Sequence, residues 1–204
     1  MNLPNKITLF RLPLTVIFFV FFFDQPLPYF FPEKSNPTPY HHTIAFFCFL
    51  IACVSDWSDG YLARKRNQIT PFGKLWDPIA DKILVTAALI TLVANDAMPA
   101  WIVVVLLSRD FAVSGLRMMA AQQGVALSAE TGGKIKTAVQ LFTIGVLCAH
   151  YALIHDWNWD FLPKPLPTPG LAWFEVWLLY PACVFTSVFS AWGYFRKNWS
   201  LLGL

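Results

Sequence analysis

Asp56-Trp57-Ser58-Asp59-Gly60-Tyr61-Leu62-Ala63-Arg64, then eight intervening residues, then Gly73-Lys74-Leu75-Trp76-Asp77-Pro78-Ile79-Ala80-Asp81: this stretch joins two apolar runs and decides how the chain folds. Asp56 and Asp59 are three apart, and Asp77 and Asp81 are four apart. On helices, each spacing puts both carboxylates on one face. Two consecutive helices joined by a short loop can therefore aim four carboxylates at one point. Gly60 and Ala63 let a ligand lie close to the backbone, or let helices pack closely. Pro78 removes one backbone donor between the second pair of carboxylates.

Working outward, the apolar text continues on both sides. The chain has 204 residues, of which 56% are hydrophobic and 13% charged, with 19 Phe and 9 Trp. A soluble domain is about 25% charged, and one core of this size cannot hide so much apolar surface. The composition excludes a soluble enzyme, a disordered chain and a disulfide scaffold. It predicts an all-α integral membrane protein, a single domain over residues 1–204. Spans of about 20 apolar residues are expected near Ile7–Phe23, Thr43–Tyr61, Phe72–Val93, Pro99–Ala120, Ile135–Ile154 and Leu171–Phe195. Lys6 and Arg11 ahead of an apolar stretch have the look of a secretory signal, but Phe23-Asp24-Gln25-Pro26 offers no small-residue cleavage site.

Thirteen of the fifteen Lys and Arg fall on or near one side of these six spans; only Lys34 and Lys164 fall on the other. Basic residues stay cytoplasmic, so both termini are expected in the cytoplasm. The opposite-side loops, 26–39 and 163–169, are rich in Pro, which favours extended backbone. The net charge of +3 is scattered among the spans, which argues against a nucleic-acid partner. Cys48, Cys53, Cys148 and Cys183 lie in apolar runs without a CxxC spacing and read as small buried hydrophobes. His41, His42, His150 and His155 lie toward the non-cytoplasmic side and receive no catalytic role.

The carboxylates of the opening stretch thus gather at the cytoplasmic membrane edge, where burying them without compensation is costly. One reading is a salt-bridged hairpin, with Arg64, Arg66, Lys74 and Lys82 as counter-charges. The other is a metal site. Aspartates are hard oxygen ligands suited to Mg²⁺, Mn²⁺ or Ca²⁺. Four of them can hold two divalent ions, an arrangement that suits phosphoryl-type chemistry. No His joins the cluster, which disfavours zinc.

The pattern Asp-x-x-Asp-Gly-x-x-Ala-Arg, eight residues, Gly-x-x-x-Asp-x-x-x-Asp resembles the signature of the CDP-alcohol phosphatidyltransferases. Asp56, Asp59, Gly60, Ala63, Arg64, Gly73, Asp77 and Asp81 all match it. The opening Leu3-Pro4-Asn5-Lys6-Ile7-Thr8-Leu9-Phe10-Arg11, the segment Ser108-Arg109-Asp110 with Gly115-Leu116-Arg117, and Gly133-Lys134-Ile135-Lys136-Thr137 with Gln140 are similar to one branch of that family. The resemblance implies six transmembrane helices and a cell (inner) membrane enzyme with its active site facing the cytoplasm. It implies transfer of a phosphatidyl group from CDP-diacylglycerol to sn-glycerol 3-phosphate, with release of CMP. It implies Mg²⁺ or Mn²⁺, two ions, held by Asp56, Asp59, Asp77 and Asp81, with Asp81 also the general base. Membrane lipid is the surrounding partner, and the resemblance also allows a homodimer.

By the same carry-over, Arg64 lies against the donor phosphates, a task its planar fork suits. Asn5, Thr8, Gly60 and Thr70 line the CDP-diacylglycerol site; for Asn5 and Thr8 an ordinary helix start is the competing reading. A phosphorylated acceptor needs a second basic site. Arg109 sits inside an apolar span, where a charge by default marks function. Arg117, Lys134 and Lys136 follow toward the cytoplasm. Together the four can cup the acceptor phosphate, or they anchor the spans by snorkelling. Asp110 is not expected to neutralise Arg109, because adjacent helical residues point about 100° apart. Gly132-Gly133 is expected to interrupt the helix and free backbone amides for a phosphate. Sibling transferases taking inositol phosphate, serine or phosphatidylglycerol share the signature. A divalent-metal transporter would instead place its carboxylates near the midplane in two related halves, and no second copy exists here.

This reading predicts that turnover requires a divalent cation and is lost in EDTA. Asp81→Asn should abolish turnover and leave CDP-diacylglycerol binding largely intact. Near-normal turnover in that variant would remove Asp81 from the role of base.

Overall fold

The computed structural model describes the backbone of residues 3–23, 40–65, 71–124, 131–157 and 174–199, and the side chains of 9–23, 40–55, 79–80, 82–124, 131–157 and 174–199. Among these residues there are helices and turns but no strand. The long helices are α1 (Leu3–Phe22), α2 (His41–Lys65), α3 (Pro71–Ala94), α4 (Ala100–Gln122), α5 (Thr131–His155) and α6 (Tyr180–Lys197). A π-helical turn, Glu175–Leu179, leads into α6. Each expected span has its helix. Residues 171–173 of the sixth span and the two Pro-rich loops lie outside the described residues.

α2 carries its helical geometry past Ser55 through the carboxylate segment to Lys65. Among the described residues, His41–Ser55 of α2, Leu9–Phe22 of α1 and Lys82–Ala94 of α3 are apolar stretches of these helices. Thr131–His155 and Glu175–Lys197 are long and apolar enough to cross a membrane on their own. The outward surface fits a lipid solvent: Val16, Phe47, Val104, Phe142, Phe185 and Phe189 are all exposed. A water-soluble monomer rarely leaves that much apolar surface uncovered.

Inside, α1 packs chiefly on α2 and α3, α5 on α6 and α2, and α4 on α6. Phe18 stacks on Phe22 with ring centres 5.4 Å apart, and meets Phe49 of α2 at 5.8 Å. Both Phe18 and Phe22 are fully buried. Polar bonds tie the helix ends where backbone carbonyls would otherwise lack donors. Asn95 Nδ2 donates to Phe22 O at 2.6 Å, and the Tyr180 hydroxyl donates to Ala97 O at 2.6 Å. Cys148 and Cys183 are buried free thiols, in keeping with their reading as small hydrophobes.

The start of α2 is capped from a distance. Asp156, just beyond α5, accepts from Thr43 N at 2.6 Å and from Thr43 Oγ1 at 2.7 Å through one oxygen. Its other oxygen accepts from His42 Nδ1 at 2.8 Å. Burial works to raise the carboxyl pKa, but these bonds outweigh it and hold the group below the usual carboxylate range. The buried ends of α2 and α5 are thus locked together by an ionised side chain.

Candidate active site

The basic residues singled out from sequence converge. Arg109 and Arg117 on α4 and Lys134 and Lys136 on α5 line one pocket of about 570 Å³. Lys82 and Thr86 of α3 and Ser190 and Tyr194 of α6 complete its wall. Among the described residues, five basic side chains and one carboxylate, Asp110, line the pocket, which makes this part of its wall cationic.

Its inner wall is an ionic knot. Lys136 Nζ donates to both oxygens of Asp110, at 2.6 and 2.7 Å. Arg109 Nη1 donates to Asp110 Oδ1 at 3.0 Å, and Arg109 Nη2 donates to Ser190 Oγ at 2.7 Å. The Lys136 side chain is only 5% exposed and that of Arg109 12%. Toward the rim the cations are freer. Arg117 is exposed; its Nε donates to the Tyr194 hydroxyl at 3.1 Å, with the guanidinium 5.3 Å from that ring centre. Lys134 is also exposed. Lys82 Nζ donates to Ser114 Oγ at 2.7 Å. Two buried donors on the wall, Arg109 Nε and Gln140 Nε2, have no hydrogen-bond partner among the described residues.

Two sequence expectations are corrected. Asp110 does pair with Arg109: the long, flexible arginine stem folds back across the roughly 100° between adjacent helical positions, and Lys136 joins from α5. Gly132-Gly133 does not interrupt a helix but forms the first turn of α5. The amides stay available all the same, because a helix's first N–H groups have no intrahelical acceptor, and Gly133 lines the pocket. Gly132 packs against α6, where an added Cβ would meet Ser190 Oγ at 3.5 Å.

The other sequence-predicted residues are located by their helices. Asn5 and Thr8 lie on α1, Asp56, Asp59, Gly60 and Arg64 on α2, and Asp77 and Asp81 on α3. Their side chains, and Thr70 altogether, fall outside the described residues. Both signature halves are continuous helix, so Asp56 and Asp59 share one face and Asp77 and Asp81 another. Four oxygen donors suit hard divalent cations in number and kind. Sequence reasoning missed Ser190 and Tyr194; two polar residues at i and i+4 in an apolar span were the available signal. Arg11, read only as a topology marker, is fully buried on α1, the helix packed on α2 and α3.

A helical membrane protein with a cationic pocket and a paired-carboxylate hairpin is a candidate for handling phosphate-bearing lipid precursors. The comparisons with known proteins agree. Residues 1–188 match the CDP-alcohol phosphatidyltransferase family model. A CDP-diacylglycerol–glycerol-3-phosphate 3-phosphatidyltransferase of Bacillus subtilis is 43% identical over 202 residues, covering 98% of this chain and 97% of the relative. Proteins of the same name from Haemophilus influenzae and Rickettsia bellii are 39% and 35% identical, covering 74% and 72% of this chain and 77% and 74% of those relatives. The chain belongs to the CDP-alcohol phosphatidyltransferase family, whose members generally depend on a divalent metal.

Removing the counter-charge should expose the knot's structural weight. Asp110→Asn leaves Arg109 and Lys136 buried without their carboxylate, which costs about 3–5 kcal/mol. A clear fall in melting temperature in detergent micelles is expected; an unchanged one would show that the knot does not hold α4 to α5.

Proposed function

We propose that this chain transfers the phosphatidyl group of CDP-diacylglycerol to the hydroxyl of sn-glycerol 3-phosphate, giving phosphatidylglycerophosphate and CMP. The observation that carries the reading is the cationic pocket with its two unpartnered buried donors, set in a chain that aligns almost end to end with a relative of that name. The acceptor brings a phosphate and hydroxyls, and the pocket offers charge and donors for both. Asp110 reserves Arg109 and Lys136 as a fixed wall, while Arg117 and Lys134 remain at the rim to meet the phosphate.

Asp56, Asp59, Asp77 and Asp81 are the residues that would hold two divalent cations, Mg²⁺ or Mn²⁺. Bound there, such ions neutralise the diphosphate and stabilise charge on departing CMP. Asp81 takes the proton of the acceptor hydroxyl as its oxygen bonds to the lipid-bearing phosphorus and the bond to CMP breaks. A carboxylate is a weak base, so its advantage is position. Arg64 lies along the donor phosphates, and Asn5, Thr8, Gly60 and Thr70 line the nucleotide site. The whole chain acts as one domain with six membrane spans, in the cell membrane, with both termini and the active site on the cytoplasmic side. The basic bias supports that orientation.

Arg117→Ala should raise the KM for glycerol 3-phosphate much more than that for CDP-diacylglycerol. A lost charge-assisted hydrogen bond is worth roughly 1.5–3 kcal/mol, about ten- to a hundredfold in kcat/KM. Arg109→Ala should show the same selectivity with added loss of stability. Equal loss for both substrates would take the acceptor out of this pocket. Turnover with inositol phosphate and not with glycerol 3-phosphate would assign the chain to a sibling activity.

A reporter fused after Leu204 should read as cytoplasmic, and a cysteine introduced at Ser35 should be labelled from outside the cell. The reverse result would overturn the topology and put the site on the wrong face for a cytoplasmic-leaflet substrate.

A further inference from the structure

At the end of the bundle away from the signature carboxylates, three side chains converge that the transferase reaction leaves unused. His41 and His42 begin α2, and Asp156 follows α5. His42 Nδ1 lies 2.8 Å and His41 Nδ1 3.9 Å from the same oxygen, Asp156 Oδ1. The potential ligand atoms of all three residues lie within 4.8 Å of one another. The two imidazole centres are only 3.8 Å apart. The geometry points to a binding site for a divalent transition-metal ion of the zinc class, made by His41, His42 and Asp156.

Several features support an ion there beyond a hydrogen-bonded clasp. Bonds of about 2.0–2.2 Å around a tetrahedral centre put ligand atoms roughly 3.3–3.5 Å apart. The observed 2.8 and 3.9 Å edges to Asp156 bracket that value and the third edge is no longer than 4.8 Å, so side-chain shifts of about 1 Å close the site. Binding displaces the His42 Nδ1 proton, as metal binding to imidazole generally does. The carboxylate is already oriented, because its second oxygen is held by Thr43 N and Thr43 Oγ1, and Trp157 Nε1 in turn donates to Thr43 Oγ1 at 3.1 Å. Such outer bonds are what fix ligands in metal sites. The surroundings are nearly dry: the Asp156 side chain is 1% exposed and that of His42 3%. A further imidazole, His155, has its ring centre 5.5 Å from that of His42 and stacks on Tyr151, so the fourth position is left to water.

The donor set is two imidazoles and one carboxylate, which suits zinc, cobalt or copper better than magnesium. The site is not the catalytic one. Fifteen residues separate His41 from Asp56 on the same helix, about 22 Å at 1.5 Å per residue. An ion here would staple the first turn of α2 to the end of α5.

The test uses the tag-free full-length protein in detergent micelles with Mg²⁺ in excess, titrated with Co²⁺ and then with Zn²⁺. One Co²⁺ per chain should give visible ligand-field absorption, and Zn²⁺ should displace it. His41→Ala and Asp156→Asn should each weaken Co²⁺ binding at least tenfold, while Asp77→Asn should keep the band. His41→Ala is the safer variant for folding, because His41 is less buried than His42 and the capping bonds to Thr43 stay intact. Zn²⁺ should also raise the melting temperature of the parent protein and not that of His41→Ala. No stoichiometric band in the parent protein overturns the proposal. So does a band that survives His41→Ala and disappears in Asp77→Asn, since that ion belongs to the carboxylate hairpin.

Discussion

An ion in an apolar bundle must find its opposite, and the pocket wall is arranged around that demand. Asp110 is the single carboxylate among its described lining residues, and it engages Arg109 from its own helix and Lys136 from α5. Arg109 reaches on to Ser190 of α6. One buried charge cluster therefore joins α4, α5 and α6. The attraction between these charges works chiefly against their desolvation. Its consequence is geometric: the three helices can meet in only a few registers that leave no charge unpaired, and the pocket exists in those registers.

The same logic sorts the cations by task. Lys136 and Arg109 are nearly buried and already bonded, so they define shape and a fixed positive field. Arg117 and Lys134 are exposed at the mouth. The Tyr194 hydroxyl and ring hold Arg117 at its Nε edge and leave its fork directed elsewhere. A planar fork presented this way suits a phosphate better than an ammonium would. The first turn of α5 adds the partial positive charge of a helix start, with Gly133 on the lining allowing close approach to the backbone.

Much of this was legible in the sequence. Apolar runs located all six helices, because hydropathy reports burial in lipid as directly as in a core. Arg109, Arg117, Lys134 and Lys136, which share one pocket, were singled out because each charge interrupts an apolar span or sits at its edge. What escaped was partnership between distant positions. Ser190 and Tyr194 lie about eighty residues from the arginines they meet, and spacing along one helix says nothing about a neighbour in space. The Asp110 pairing escaped for another reason: helical periodicity fixes where Cβ points, not where a long side chain ends. The histidines near Asp156 were set aside because they fall toward the non-cytoplasmic side; only the packing of α2 on α5 brings Asp156 to them.

The two ends of α2 carry the two kinds of chemistry that the fold separates. Its C-terminal half bears Asp56 and Asp59, hard oxygen donors where the basic residues gather. Its first turn bears His41 and His42, borderline nitrogen donors tied to α5 through Asp156. Hard ions favour the first set and softer ones the second, so the two sites would draw on different metals without competing. Because one continuous helix links them, order imposed on its first turn is order imposed on the register of the helix that carries the signature. A helix pinned at one end by Asp156 and held to α1 where its Phe49 meets Phe18 has little freedom to slide. The proposed metal site depends on that rigidity, since a shift of one residue would rotate Asp56 and Asp59 about 100° around the helix axis.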